Sequence, residues 1–159
     1  MTALTAFETL FESGADAPEV PFTPYNEDVK IKLLRVDPVR GQMCLVLSAP
    51  GGTGLGVHKH YGYVIVYTLQ GAWRYLEHEW VSRAGDFVYE TAGSTHTFFA
   101  EEDTSAFIVL EGALEFLDDE GNSLAIEDWQ SMYRRYLDYC AAQGIDPPDL
   151  KSFDTVEVS

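Results

Sequence analysis

Basic residues are scarce in this chain. Ten Lys and Arg stand against 26 Asp and Glu, a formal net charge of −16 over 159 residues. No Lys/Arg cluster occurs, and nucleic-acid binding needs a basic footprint, so a polyanionic partner is excluded; anionic membranes are disfavoured for the same reason. No run of 18 apolar residues occurs, so no transmembrane helix is expected. The opening residues lack a basic segment followed by an apolar run, and we expect no secretory leader and a cytoplasmic protein. Cysteine is limited to Cys44 and Cys140. Cys44 sits in a strand-like run and Cys140 on the apolar face of a helix-like one, which reads as two small buried thiols in a reducing compartment. No internal repeat or low-complexity segment is present.

Aromatic residues are plentiful: nine Tyr, nine Phe and three Trp. With nearly half the residues apolar, they point to one β-rich domain with a packed core. Residues 1–24 read as an N-terminal arm. Leu4, Phe7 and Phe11 recur at helical spacing over 2–13, and Pro18, Pro21 and Pro24 then hold the chain extended. Residues 25–117 read as the β-domain. Strands are expected over 30–36, 42–49, 63–69, 87–90, 96–99, 106–111 and 113–117, with a strand pair over 73–81. Residues 118–159 read as a turn, a helix and a tail. From Glu127 to Gln143, Trp129, Met132, Tyr133, Tyr136, Leu137 and Cys140 form one helical face. Glu127 and Asp128 suit its positive end and Gly144 its stop. The tail after Pro148 is expected to be flexible or to act as an arm.

Histidine is the other scarce residue, with four in the chain, and three of them converge. In a strand, residues i and i+2 face the same way with α-carbons roughly 6.5–7 Å apart. His58 and His60 therefore aim two imidazoles together, and His96, beyond a glycine-containing turn, completes a set. Three imidazoles suit iron, zinc, copper or nickel. His78 sits among glutamates at a hairpin tip and reads as exposed. Glu90, six residues before His96, is either a carboxylate near the metal, as a weak fourth ligand or a base that orients a ligand or substrate, or an exposed turn residue. Tyr61, Trp73 and Phe98 are candidate substrate-contacting cavity walls, with core packing as the alternative. Lys59, between two inward histidines, points away. With no Arg clamp nearby, the site suits a neutral or weakly acidic substrate. The glycine-rich loop 50–56 lacks the phosphate-binding patterns and reads as the loop that swings His58 into place.

These residues resemble the cupin superfamily, whose two motifs are G-x5-H-x-H-x3-4-E-x6-G and G-x5-P-x-G-x2-H-x3-N. Gly52, His58, His60 and Gly71 fall on the first; Gly85, Gly93 and His96 fall on the second. Thr91 replaces the usual proline and Ala100 the usual asparagine. Val64 stands in the slot of the ligating glutamate. Three neutral imidazoles without that carboxylate leave the metal more positive, which favours an anionic chelate such as an enolate. The resemblance implies an all-β, cupin-type (jelly-roll) β-barrel, here with a C-terminal α-helix, and a homodimer.

The wording around the motifs resembles the three-histidine cupins of the 2,4'-dihydroxyacetophenone dioxygenase family, with the acetylacetone-cleaving enzymes similar. That resemblance implies Fe(II), with Zn(II) or another divalent metal as alternatives. It implies O2-dependent carbon–carbon cleavage of a 2-hydroxyacetophenone-like ketone or a diketone, as in aromatic-compound degradation, and a glutamate near the metal at the position of Glu90. Two alternatives stand beside it: a metal-holding cupin sensor or binding module, and a non-redox metal-dependent cupin enzyme such as an isomerase.

Overall fold

A computed structural model of the chain describes residue 11 and residues 13–151. The N-terminal helix expected over 2–13 lies almost wholly outside the described residues. In chain order the elements are β1 (Val20–Phe22), β2 (Asn26–Asp37), β3 (Gln42–Ala49), β4 (His58–His60), β5 (Val64–Gln70), β6 (Ala72–Tyr75), β7 (Ser82–Arg83), β8 (Phe87–Glu90), β9 (Thr95–His96), β10 (Phe98–Ala100), β11 (Thr104–Glu111), β12 (Leu114–Leu117), β13 (Ser123–Glu127) and α1 (Trp129–Gln143). The protein is all-β with one C-terminal helix. Its strands form three sheets, ordered β1-β2-β3-β11-β5-β8, β10-β6-β7 and β13-β12-β4-β9. The arrangement is jelly-roll-like, and the sheets do not join into one closed hydrogen-bonded barrel.

Strict alternation builds the large sheet. In β3, Met43, Leu45, Leu47 and Ala49 are buried, while Gln42, Cys44, Val46 and Ser48 face outward and are half-buried. A slip of one residue would turn this whole apolar set outward, so the pattern pins the register with β2 and β11. β5 alternates likewise. Val64, Val66 and Thr68 point inward, whereas Tyr67 and Leu69 are about half exposed. Beside them on the edge strand β8, Phe87 and Tyr89 are also exposed. This outer apolar face is therefore uncovered by any other sheet among the described residues.

Two features escape the sequence patterns. β1 is a three-residue strand wedged among prolines, and β13 follows a turn with a weak apolar pattern. β13 also alters the reading of Glu127. It ends that strand rather than starting the helix, and it is buried under Arg135, whose Nη2–H donates to it at 2.6 Å. Tyr25 and Ser131 donate to the same carboxylate at 2.8 and 2.5 Å. Asp128 alone caps α1. Its Oδ1 accepts from the N–H groups of Gln130 and Ser131, and the Ser131 hydroxyl accepts from the Asp128 N–H in return. Gly144 stops the helix in the left-handed region, at φ 68°.

The expected loose arm after Pro148 is corrected for residues 149–151. Leu150 is buried, and its carbonyl accepts from the Val36 N–H at 2.9 Å. An apolar side chain and a sheet bond at the edge of β2 outweigh the turn-like prolines that precede them. Cys44 and Cys140 are free thiols.

Candidate metal centre

β4 and β9 pair antiparallel with His58 directly opposite His96, and His60 lies two residues along β4 on the same face. The three rings form a nearly equilateral triangle, with centroids 5.1, 4.8 and 5.1 Å apart. Their candidate ligand nitrogens all lie within 4.8 Å of one another, and all three residues are buried. His58 Nδ1 is 2.9 Å from the Gly56 carbonyl. A carbonyl only accepts, so this nitrogen carries the proton and Nε2 is left free to ligate. Burial holds all three rings neutral. It lowers the pKa of His60 to about 2 and of His96 to about 3, and it lowers that of His58 as well. A neutral imidazole is the form that binds a metal.

A carboxylate completes the cluster. Glu90 sits on β8 directly across from Val64 on β5. Its side chain thus enters from the strand beside the slot that Val64 leaves without charge. Glu90 is 5% exposed, and its Oε2 lies 3.3 Å from His60 Nε2 and 3.4 Å from His96 Nε2. Burial pushes its pKa up to about 7, against a smaller lowering from the Tyr75 hydroxyl. That hydroxyl donates to Oε1. The Tyr75 ring lies flat on His96, with centroids 3.6 Å apart and planes 11° apart. Tyr75 is the residue that sequence reading missed. The available signal was its place two residues after Trp73, on the same face of β6.

The donor set fits a divalent metal. His96 Nε2 and Glu90 Oε2 are buried polar atoms with no hydrogen-bond partner, and leaving such atoms unsatisfied is costly. A cation among the three nitrogens would satisfy His96 Nε2, and its charge would offset that of the Glu90 carboxylate beside it.

Beside the cluster lies a cavity of about 80 Å3, walled almost wholly by apolar side chains from both faces of the roll, Val64, Val66, Leu110 and Phe116 among them. Trp73 and Phe98 line it and are 1% and 7% exposed. The Trp73 indole N–H is taken up by Thr68 Oγ1 at 2.8 Å, so Trp73 presents its ring and not its donor. Tyr61 is not brought to the cavity. Half exposed, it gives its hydroxyl to Glu115 at 2.5 Å, and Lys59 lies over its ring. The physical reason is the turn after β4: Tyr61 follows His60 and takes the opposite face. His78 is exposed at the β6–β7 connection and stacks on Trp80.

A family model for the ChrR cupin-like domain matches residues 12–115, which contain all three histidines and Glu90. The chain belongs to that family. An RmlC-like cupin protein from Ralstonia eutropha JMP134 is 46% identical, with a TM-score of 0.88 over 92% of this chain and 96% of that one. A second protein from the same organism, of unknown function and cupin-like fold, is 24% identical, with a TM-score of 0.85 over 98% of this chain and 99% of the other. An acetylacetone dioxygenase from Acinetobacter johnsonii is 20% identical, with a TM-score of 0.75 over 87% and 96%. The last two likenesses show the shared cupin fold. Comparison with curated proteins gave no match. Among the described residues of this cupin, no helix is long and apolar enough to cross a membrane.

Proposed function

We propose that this cupin is an Fe(II)-dependent dioxygenase that cleaves a carbon–carbon bond of a 2-hydroxyacetophenone-like hydroxyketone or a diketone with O2. The observation that carries the reading is the buried three-histidine triangle with an uncharged Val64 in the usual carboxylate slot and Glu90 beside it. The resemblance to three-histidine dioxygenases and the shared fold of an acetylacetone dioxygenase support it.

His58, His60 and His96 would hold the iron through neutral nitrogens on one side. When bound, the metal supplies chelation of two substrate oxygens and reactivity toward O2. Glu90 Oε2, the carboxylate oxygen that faces His60 and His96, takes the acidic proton from the substrate. Tyr75 fixes the carboxylate through Oε1. The apolar walls exclude water and leave no cation to recruit a carboxylate substrate. For an aryl hydroxyketone the overall change is Ar–CO–CH2OH + O2 → Ar–COOH + HCOOH, with both oxygen atoms retained in the two acids. With a 4-hydroxyphenyl ring the products are 4-hydroxybenzoate and formate. The working unit is a homodimer formed through the outer face of β5 and β8.

The test is oxygen uptake by protein reconstituted anaerobically with Fe(II), against 2-hydroxyacetophenones and β-diketones, with Zn(II)-loaded protein as control. We expect iron-dependent uptake with one substrate cleaved per O2. No uptake from protein holding one metal per chain would overturn the reading in favour of a non-redox enzyme or a metal-holding module.

A further inference from the structure

The histidine cluster has two unlike sides. His58 and His60 border the narrow apolar cavity, whereas His96 borders a wider groove of about 630 Å3 between β8 and the β6–β7 connection. Tyr75 and Glu90 form the wall between the two spaces and line both. The cavity, at about 80 Å3, is about half the roughly 150 Å3 of an apolar cavity that takes up benzene. An aryl ring bearing a hydroxyketone arm exceeds that, while a small apolar molecule fits.

The groove has the complementary character. Trp80 lines it, 39% exposed. Its indole is fixed edge-on against Trp73 and Tyr75, each at 5.7 Å between centroids, and stacked with His78 at 5.4 Å. Beside the His96 and Glu90 edge of the metal cluster, Ser94 Oγ lines the groove as a buried polar atom without a hydrogen-bond partner. No Lys or Arg lines the groove; Asp86 and Glu90 do, and Phe87 and Tyr89, whose outward sides lie on the proposed dimer face, form its β8 rim.

We propose that the groove binds the ring of a neutral aryl ketone against Trp80, with the ketone's oxygens turned toward the metal cluster at His96 and Glu90 and toward Ser94, and that the narrow apolar cavity is left to the small apolar co-reactant. The assignment of that co-reactant as O2 rests on the dioxygenase reading; the ring site does not. It makes Trp80 a specificity residue that separates aryl ketones from aliphatic diketones.

The test is calorimetric titration of redox-inert Zn(II)-loaded protein with 2-hydroxyacetophenone and with acetylacetone. In the Trp80→Leu variant we expect the aryl ligand to bind about fivefold to tenfold more weakly, the range of one aromatic contact, and acetylacetone to move less than about twofold. Leucine retains apolar contact with Trp73 and Tyr75, and circular dichroism checks the fold. Ala106→Val, which narrows the cavity from the other side, should leave the aryl affinity unchanged. Equal effects of Trp80→Leu on both ligands, loss of aryl binding in Ala106→Val, or no aryl binding by the parent would each overturn the proposal. Absent oxygen uptake with ring binding intact would overturn the dioxygenase reading and leave the groove assignment standing.

Discussion

Glu90 and the three histidines pull the metal-free protein in opposite directions as pH changes. The folded pKa of Glu90, about 7, lies above the ordinary value near 4.3. Its contribution to stability is therefore fully present below about pH 4.3 and is lost as pH rises through about 7. The histidines have depressed folded values. They favour the folded state above about pH 6.5 and lose that contribution as pH falls toward their folded values. Comparing a single variant with its parent separates the two. For metal-free Glu90→Gln, urea unfolding should show a gain over the parent that grows between about pH 4.5 and 7, to at most about 3 kcal/mol. A difference that stays flat across that window would exclude a buried carboxyl that titrates there. His96→Ala should bind almost no metal by elemental analysis and lose turnover, because His96 supplies one corner of the triangle. Stoichiometric iron with full activity in that variant would remove His96 from the ligand set. Among the residues, the histidine pair on β4 was plain from its i, i+2 spacing. Tyr75 was hidden, because its role depends on lying flat over a histidine twenty-one positions away.

The C-terminal helix is tied to the sheet by an ion pair between half-buried Arg135 and buried Glu127. Arg135 bonds Glu127 through both Nη atoms, at 3.1 and 2.6 Å, and its guanidinium also lies over Phe22 at 4.8 Å. Burial alone would raise the Glu127 pKa. The hydrogen bonds from Arg135, Ser131 and Tyr25, with the charge of Arg135, outweigh that and hold the carboxyl below its usual range. Stability from this pair is thus present above the ordinary carboxylate pKa and is lost as pH falls through the depressed folded value. Arg135→Met leaves a buried carboxylate without its cation and should destabilise the protein by about 3 kcal/mol. Calorimetric melting at neutral pH checks this, and the gap from the parent should close in acid. The apolar stripe and the Gly144 stop were legible because they are local patterns, whereas Asp128 read only as an acid at the positive end and its capping bonds came with the fold. The ion pair was not, because Glu127 reads as a first-turn acid until β13 claims it.

For the whole molecule, the outer face of the large sheet stands out against the charge. In a chain of net charge −16, the exposed positions Tyr67, Leu69, Phe87 and Tyr89 bring no carboxylate to this face. β5 and β8, seven and four residues long, carry this patch, and a bare apolar patch on a strongly charged chain is one that a second copy would cover. Sedimentation should show a dimer, and Phe87→Glu with Tyr89→Glu should yield a monomer by like-charge repulsion across the two-fold. A monomeric parent at tens of micromolar would leave the face without a copy to cover it.

By itself the sequence determined the strand faces, the helix and its Gly144 stop, and the three histidines, since alternation, periodicity and i, i+2 spacing are imposed by backbone geometry. Tertiary structure decided the rest: that Glu90 enters across from Val64, that Tyr75 anchors it, that Tyr61 turns outward, and that Leu150 packs against β2. Each of these depends on which strands become neighbours, a pairing between distant segments that no local pattern encodes.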